Sequence, residues 1–207
     1  MFSDVSGSPD ITPSESTSSR NVSSESGSSE SGPSDRRVHI VPVQRHHAER
    51  IQTLASHPKV VATTNLPDPY PEEGARQWIE HTLMCREEGS AYAFVIVHGD
   101  TVVGATGLEG VTETDAELGY WVGVPYWGQG YATEATRLTV DRAFTELGLQ
   151  HLYARPLQAN PASCRVLEKL GFERGALETH EHPKWSDADK IVRYTLDRAQ
   201  WTSEETP

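Results

Sequence analysis

The chain has 207 residues and a net charge of −12, with 18 Lys and Arg against 30 Asp and Glu. So acidic a chain lacks the basic patches that nucleic-acid or anionic-membrane binding requires. No window reaches the roughly 18 apolar residues of a membrane span, and Cys85 and Cys164 alone make neither a disulfide framework nor a zinc site.

Residues 1–36 are dominated by Ser, Gly, Pro and Glu, with Phe2, Val5, Ile11 and Val22 as scattered apolar residues. Such a segment cannot bury enough surface to offset its ordering entropy, which predicts a disordered tail. It also lacks the basic start and the apolar run of about 7–15 residues that mark a secretion signal. The tail holds six acids and two bases, and the remainder 24 acids and 16 bases, hence −4 and −8. Only four of the 18 basic residues are Lys. An acidic, Lys-poor surface suits a salt-rich cytoplasm, where self-repulsion is screened. The expectation is a cytoplasmic protein, monomer or homodimer, with reduced thiols and one domain over residues 37–201, followed by a short tail at 202–207.

Arg37–Val43 alternates Val38, Ile40 and Pro42 against the other positions and reads as an edge strand, because proline cannot donate to a ladder. Gln44–Ala55 predicts a short helix, and His57–Pro71, with its four prolines, a loop. Glu72 and Glu73 open a helix to about Glu88, with acids in the first turn as the helix dipole favours. Trp78, Ile79, Leu83 and Met84 would form its apolar face. Ala91–Val97 and Thr101–Leu108 flank His98-Gly99-Asp100, a hairpin signal that predicts antiparallel strands. Ala116–Val124 is the next strand, and a helix without Gly or Pro runs from Tyr131 to Leu147, closed by Gly148. Gln150–Arg155 is a further strand. Asn160-Pro161 starts another helix, Asn as N-cap and Pro at the first helical position, and Gly171 stops it. Phe172–His180 and Ile191–Leu196 close the pattern as strands around a polar loop at Pro183–Lys190. The order β-α-α-β-β-β-α-β-α-β-β makes an α/β (mixed α+β) fold, with a mixed sheet of about seven strands flanked by helices.

The strand-turn-helix at Leu118–Ala132, LGYWVGVPYWGQGYA, carries the first chemical signal. Gly128 and Gly130 allow positive φ and let a ligand approach the main chain. The turn delivers a helix N-terminus whose N–H groups lack intrahelical partners, and that combination binds an anion, most often a phosphate. GQGYAT lacks the Lys-Ser/Thr of a P-loop, and Thr133 stands where a dinucleotide fingerprint needs its last glycine, which argues against a nucleotide-binding protein. His180-x-His182 would point two imidazoles the same way as a metal pair, but no third ligand accompanies them and they read as surface histidines. No metal is expected.

With these residues in hand, the chain resembles the GNAT superfamily of N-acetyltransferases, and most closely its ribosomal-protein alanine acetyltransferase (RimJ/RimL-like) branch. The likeness covers roughly Val38 to Trp201. Its sharpest parts are GYWVGVPYWGQGYATEA at Gly119–Ala135 and NPASCRVLEKLGF at Asn160–Phe172, and DADKIVRYTLDRAQW is a weaker third. The resemblance implies the GNAT acyl-CoA N-acyltransferase fold, with acetyl-CoA between two splayed parallel strands, here Leu118–Val124 and His151–Arg155. The pantetheine amides would pair with the backbone of Val122 and Val124, as a peptide does in strand addition. The pyrophosphate would take the N–H groups of Trp127, Gly128, Gln129, Gly130, Tyr131, Ala132 and Thr133. The superfamily often has Arg or Gln where this chain has Trp127, so no side-chain charge stands there. Asn160 matches a position that contacts the cofactor near its pantetheine arm, besides capping its own helix. Ser163 matches the branch's proton donor to the departing thiolate, or satisfies an N–H in the first turn. Many relatives use a Tyr one turn further on, where this chain has Leu167.

Amine acetylation also needs a route for the lost proton. Glu117 is the best-placed carboxylate, acting as base itself or through an ordered water. The resemblance thus implies direct transfer of acetyl from acetyl-CoA to a primary amine, a protein N-terminus or a small amine, with the oxyanion facing the Val122 N–H. An acidic domain favours cationic acceptors. The acceptor pocket is expected from the two early helices and the loops at His57–Pro71 and Pro183–Lys190. The alternative is a non-catalytic acyl-CoA sensor that keeps the glycine turn and Asn160 without a working acid and base.

Overall fold

The computed structural model describes residues 37–180 and 182–202. The tail expected over residues 1–36, and all but the first residue of the one expected at 202–207, lie outside the described residues. Among the described residues, seven strands form one mixed sheet: β1 (Val38–Pro42), β2 (Tyr92–His98), β3 (Thr101–Glu109), β4 (Asp115–Val122), β5 (His151–Ala154), β6 (Glu173–Glu178) and β7 (Ile191–Asp197). Their spatial order is β1-β2-β3-β4-β5-β7-β6, and β4 with β5 is the parallel pair. β1 lies at the edge, as Pro42 requires. The β2–β3 hairpin turns at Gly99, whose φ of 58° lies in the left-handed region.

Five α-helices among the described residues flank the sheet: α1 (Ala48–Ala55), α2 (Pro58–Thr63), α3 (Gly74–Glu88), α4 (Tyr131–Thr145) and α5 (Pro161–Lys169). Side chains alternate along each strand, so each face takes its own set. Val43, Ala93, Val95 and Val97 pack with Ile51 of α1 and Ala75 and Ile79 of α3. On the other face Leu108, Ala116, Leu118 and Leu152 pack with Val140 and Phe144 of α4 and Leu167 of α5. A third cluster joins Ile40, Phe94, Ile96, Val103 and Val122 to Ala135 of α4. The interior strand β2, next to the β1 edge, is buried along nearly its whole length, as expected of a strand covered on both faces.

Four expectations need correction. The stretch at His57–Pro71 is not all loop, since it contains α2. Pro58 sits at the first helical position, where no donor is needed, and His57 Nδ1 accepts from Lys59 N at 3.1 Å as the cap. α3 begins at Gly74, so Glu73 is its N-cap and its first turn holds no acid. Met84 is exposed, and Thr82 joins Ala75 and Ile79 in the buried face. The strand predicted to Val124 stops at Val122, where a 3-10 turn at Val124–Tyr126 takes over.

Candidate functional site

The β4–β5 pairing runs only from Asp115↔His151 to Glu117↔Tyr153, although β4 continues to Val122. Beyond Glu117 the two strands fork. Gly123 N donates to Val103 O at 2.8 Å, and antiparallel bonding alternates along a strand. Hence Glu117, Gly119 and Trp121 turn their backbone groups to β3, while Leu118, Tyr120 and Val122 turn theirs to the open edge. A cavity of about 1130 Å³ occupies this fork and continues over the α1–α3 face of the sheet.

At the mouth of the fork stands the glycine turn. Gly128 and Gly130 have φ of 74° and 85°, and no atom lies within 4 Å of where a Cβ on either would stand. Gly130 caps α4, and the first bond of that helix runs from Glu134 N to Gly130 O at 3.1 Å. The N–H groups of Tyr131, Ala132 and Thr133 therefore precede the helical ladder and lie at the positive end of the dipole. An unpaired strand edge, an open glycine turn and an elongated cavity joining them fit a long ligand with amides along its body and a phosphate at one end.

Two of the expected contacts are altered. Trp127 N donates to Val124 O at 3.2 Å, so these two backbone groups are already paired with each other within the turn. The Trp127 indole donates to Val122 O at 2.6 Å, which leaves the Val122 N–H as that residue's group at the open edge. Gln129 donates its side chain to Pro125 O (3.1 Å), and the Tyr131 hydroxyl meets His98 Nδ1 (3.1 Å), so both side chains brace the turn.

α5 meets the fork from the side of α4. Asn160 Oδ1 accepts from Ser163 N at 3.2 Å, and its Nδ2 donates to Thr63 O at 3.2 Å. The side chain is thus both the N-cap and a tie to the end of α2. Ser163 Oγ lies 2.9 Å from the Tyr120 hydroxyl, which also reaches Ser163 O at 3.1 Å. Burial pushes the Tyr120 phenol well above its ordinary range, so it stays protonated. Leu167 is fully buried in the core. The hydroxyl that accompanies Ser163 comes from β4, a partner invisible in the spacing of the α5 motif.

The opposite face of the fork is polar at its apex. Glu117 lines the cavity, and Arg155 donates to both its oxygens, Nε to Oε1 at 3.0 Å and a terminal nitrogen to Oε2 at 2.5 Å. The Glu117 hydrogen bond holds the Arg155 guanidinium firmly charged. Glu109 stands opposite Glu117 in the β3–β4 register. The sequence reading ended that strand at Leu108 and so missed it. The walls around Glu109, and then the Glu117 charge, push its carboxyl above the usual carboxylate range, although the side chain keeps access to solvent. Gly119 leaves the floor between Glu117 and Trp121 open, with no atom within 4 Å of a Cβ position.

Tyr70, Trp78, Trp121 and Trp185 give this half of the cavity aromatic walls. The β6–β7 loop reaches it through Lys184, whose Nζ donates to Val61 O, Thr64 O and Leu66 O at 2.8, 2.5 and 2.6 Å. Burial lowers the pKa of that ammonium. His182 Nε2 lies 2.9 Å from Asn65 O and His180 Nε2 lies 3.2 Å from Ser186 O. These histidines brace the loop. Among the described residues no group of three or more His, Cys, Asp or Glu is arranged to hold a metal, and no helix is long and apolar enough to cross a membrane.

Residues 37–173 match the acetyltransferase (GNAT) domain family. Among curated proteins, the chain is similar to the FsC-acetyl coenzyme A-N(2)-transacetylase of Aspergillus fumigatus, 27% identical over 185 residues that span 83% of this chain and 78% of that protein. Among solved structures it is similar to RimL, a ribosomal L7/L12 alpha-N-protein acetyltransferase in complex with coenzyme A. That match has a TM-score of 0.73 and 14% identity, and covers 82% of this chain and 98% of the other. The spermidine N-acetyltransferase of Vibrio cholerae, in complex with CoA and spermine, gives a TM-score of 0.70 at 17% identity, covering 79% and 96%. At these identities the two structures share its fold.

Proposed function

The chain belongs to the acetyltransferase (GNAT) family, and we propose that it moves acetyl from acetyl-CoA directly onto a primary amine bound over the α1–α3 face. The observation that carries this reading is the fork: a β4 edge unpaired beyond Glu117, ending at an open glycine turn and the N-terminus of α4. The backbone of Leu118, Tyr120 and Val122 would hold the pantetheine amides, and the N–H groups from Gly128 to Thr133 the pyrophosphate. The thioester then lies near the apex, where Glu109 and Glu117 face the cavity on one side and Ser163 with Tyr120 on the other. The Tyr120 N–H, on the open edge and nearer the apex than Val122, would donate to the oxyanion that develops as the amine adds.

Positioning supplies much of the rate, since a fixed amine and thioester react as one molecule. The acid role falls to Ser163. Either hydroxyl can donate across the Tyr120–Ser163 Oγ contact, and when the phenol turns its proton from Ser163 O to Oγ, the serine hydroxyl is left to protonate the departing thiolate. The acceptor half has aromatic walls and acidic groups, which favour a cation attached to an apolar body. A protein N-terminus and a small amine both meet that description, and the two solved neighbours act on one of each kind by name.

The test is thiol release from acetyl-CoA with N-terminal peptides, polyamines and aminoglycosides, with acetyl-CoA binding followed in parallel. Amine-dependent release with one class is expected. Tight binding without release on any amine would replace this reading with the sensor.

A further inference from the structure

Arg155 divides two carboxylates that the fold places side by side. Glu109 and Glu117 are directly opposed in the β3–β4 register, an arrangement that costs stability when both are charged. Arg155 takes both oxygens of Glu117. No hydrogen bond or ion pair to Glu109 occurs among the described residues. Glu109 nonetheless lines the cavity, next to the apex where the β4–β5 pairing ends. A cation entering this half of the cavity thus meets one carboxylate already bound to a guanidinium and one that is not.

We propose that Glu109 is the carboxylate that receives the acceptor's ammonium and removes its proton, while Glu117, held by Arg155, is a positioning residue. This rests on the N-acetyltransferase reading above and deepens it. The ammonium gives one proton to the Glu109 carboxylate, which passes it to solvent. The neutral nitrogen adds to the thioester carbon, and the C–S bond breaks as the amide forms. The thiolate takes a proton from Ser163, and the second proton shed by the nitrogen restores the one Ser163 has given. The charged groups that face Glu109 are Glu117 from β4, His81 from α3 and Arg155 after β5; Glu117 raises its pKa and the other two lower it. Desolvation is the larger effect, so its titration lies above that of an ordinary carboxylate and nearer working pH, where a general base is most effective. The sign follows: activity falls as pH drops through that pKa, because the protonated carboxyl can neither pair with the ammonium nor take its proton.

The experiment is the pH profile of kcat/KM for the acceptor in the full chain, for wild type, Glu109→Gln, Glu109→Asp and Glu117→Gln, with acetyl-CoA affinity by calorimetry. Glu109→Gln should lower kcat/KM about 100-fold and remove the acid limb, at unchanged acetyl-CoA affinity. Glu109→Asp should keep the limb at a reduced rate. Glu117→Gln should retain the limb. An intact limb with wild-type kcat/KM in Glu109→Gln, or loss of the limb in Glu117→Gln alone, would overturn the assignment while leaving the transferase reading in place. Failure of wild type to turn over any amine would remove both.

Discussion

On the α4–α5 side of the sheet, Phe144, Leu152, Leu167 and Tyr194 close into a core with almost no solvent access, whereas on the α1–α3 side the sheet opens into a cavity floored by Gly119 and walled by aromatic rings. The two sides also use their polar groups differently. Near α4, buried Thr106 and Thr139 hydroxyls meet at 3.0 Å, and Thr139 donates to Ala135 O at 2.8 Å, so helix and sheet are fixed to each other. Over the cavity, Lys184 fastens one loop to the end of a six-residue helix by hydrogen bonds to three backbone carbonyls. One side is a packed support that holds the glycine turn in place. The other is a set of short segments that shape whatever enters.

If that division holds, truncating a core side chain near α4 should cost stability first and function only through it. Phe144→Ala should lower unfolding stability by about 3–5 kcal/mol, read by urea denaturation. A loss below about 1 kcal/mol would mean the core there collapses around the gap, and that the support is less rigid than described. Across the sheet, Lys184→Met should leave stability and acetyl-CoA affinity nearly unchanged and raise the KM for the acceptor several-fold. Lost acetyl-CoA affinity in that variant would show that the β6–β7 loop serves both halves of the cavity.

The same division explains what could be read from the chain. The features of the support are ones that backbone geometry forces on sequence. Gly128 and Gly130 stand where φ is positive, Asn160-Pro161 where α5 must be capped, and the Gly-Asp pair where the β2–β3 hairpin turns. The seven strands and the four long helices were legible for the same reason. The acceptor half depends on long-range pairing, which leaves no local pattern. Arg155 meets Glu117 from 38 residues away, and Lys184 meets Thr64 from 120 away. α2 was hidden because Pro58 reads as a breaker when it is in fact a helix start. Glu109 was missed by a single residue of strand length, and only the strand register shows that it faces Glu117. Tyr120 packs part of its ring against the core, yet its hydroxyl reaches Ser163 Oγ, a pairing that no local pattern in the chain announces.

The central claim is that the fork and the glycine turn hold acetyl-CoA, and calorimetric titration of acetyl-CoA into wild type and Gly130→Glu tests it most directly. The substitution sets a carboxylate where the pyrophosphate would lie, at a position open to solvent. The strained φ costs about 1–2 kcal/mol, which leaves the domain folded. The account predicts saturable binding by wild type and a loss of at least 100-fold in Gly130→Glu (about 2.7 kcal/mol at 1.36 kcal/mol per tenfold), with an unchanged circular dichroism spectrum. Equal affinity in the two proteins, or no binding by wild type, would contradict it.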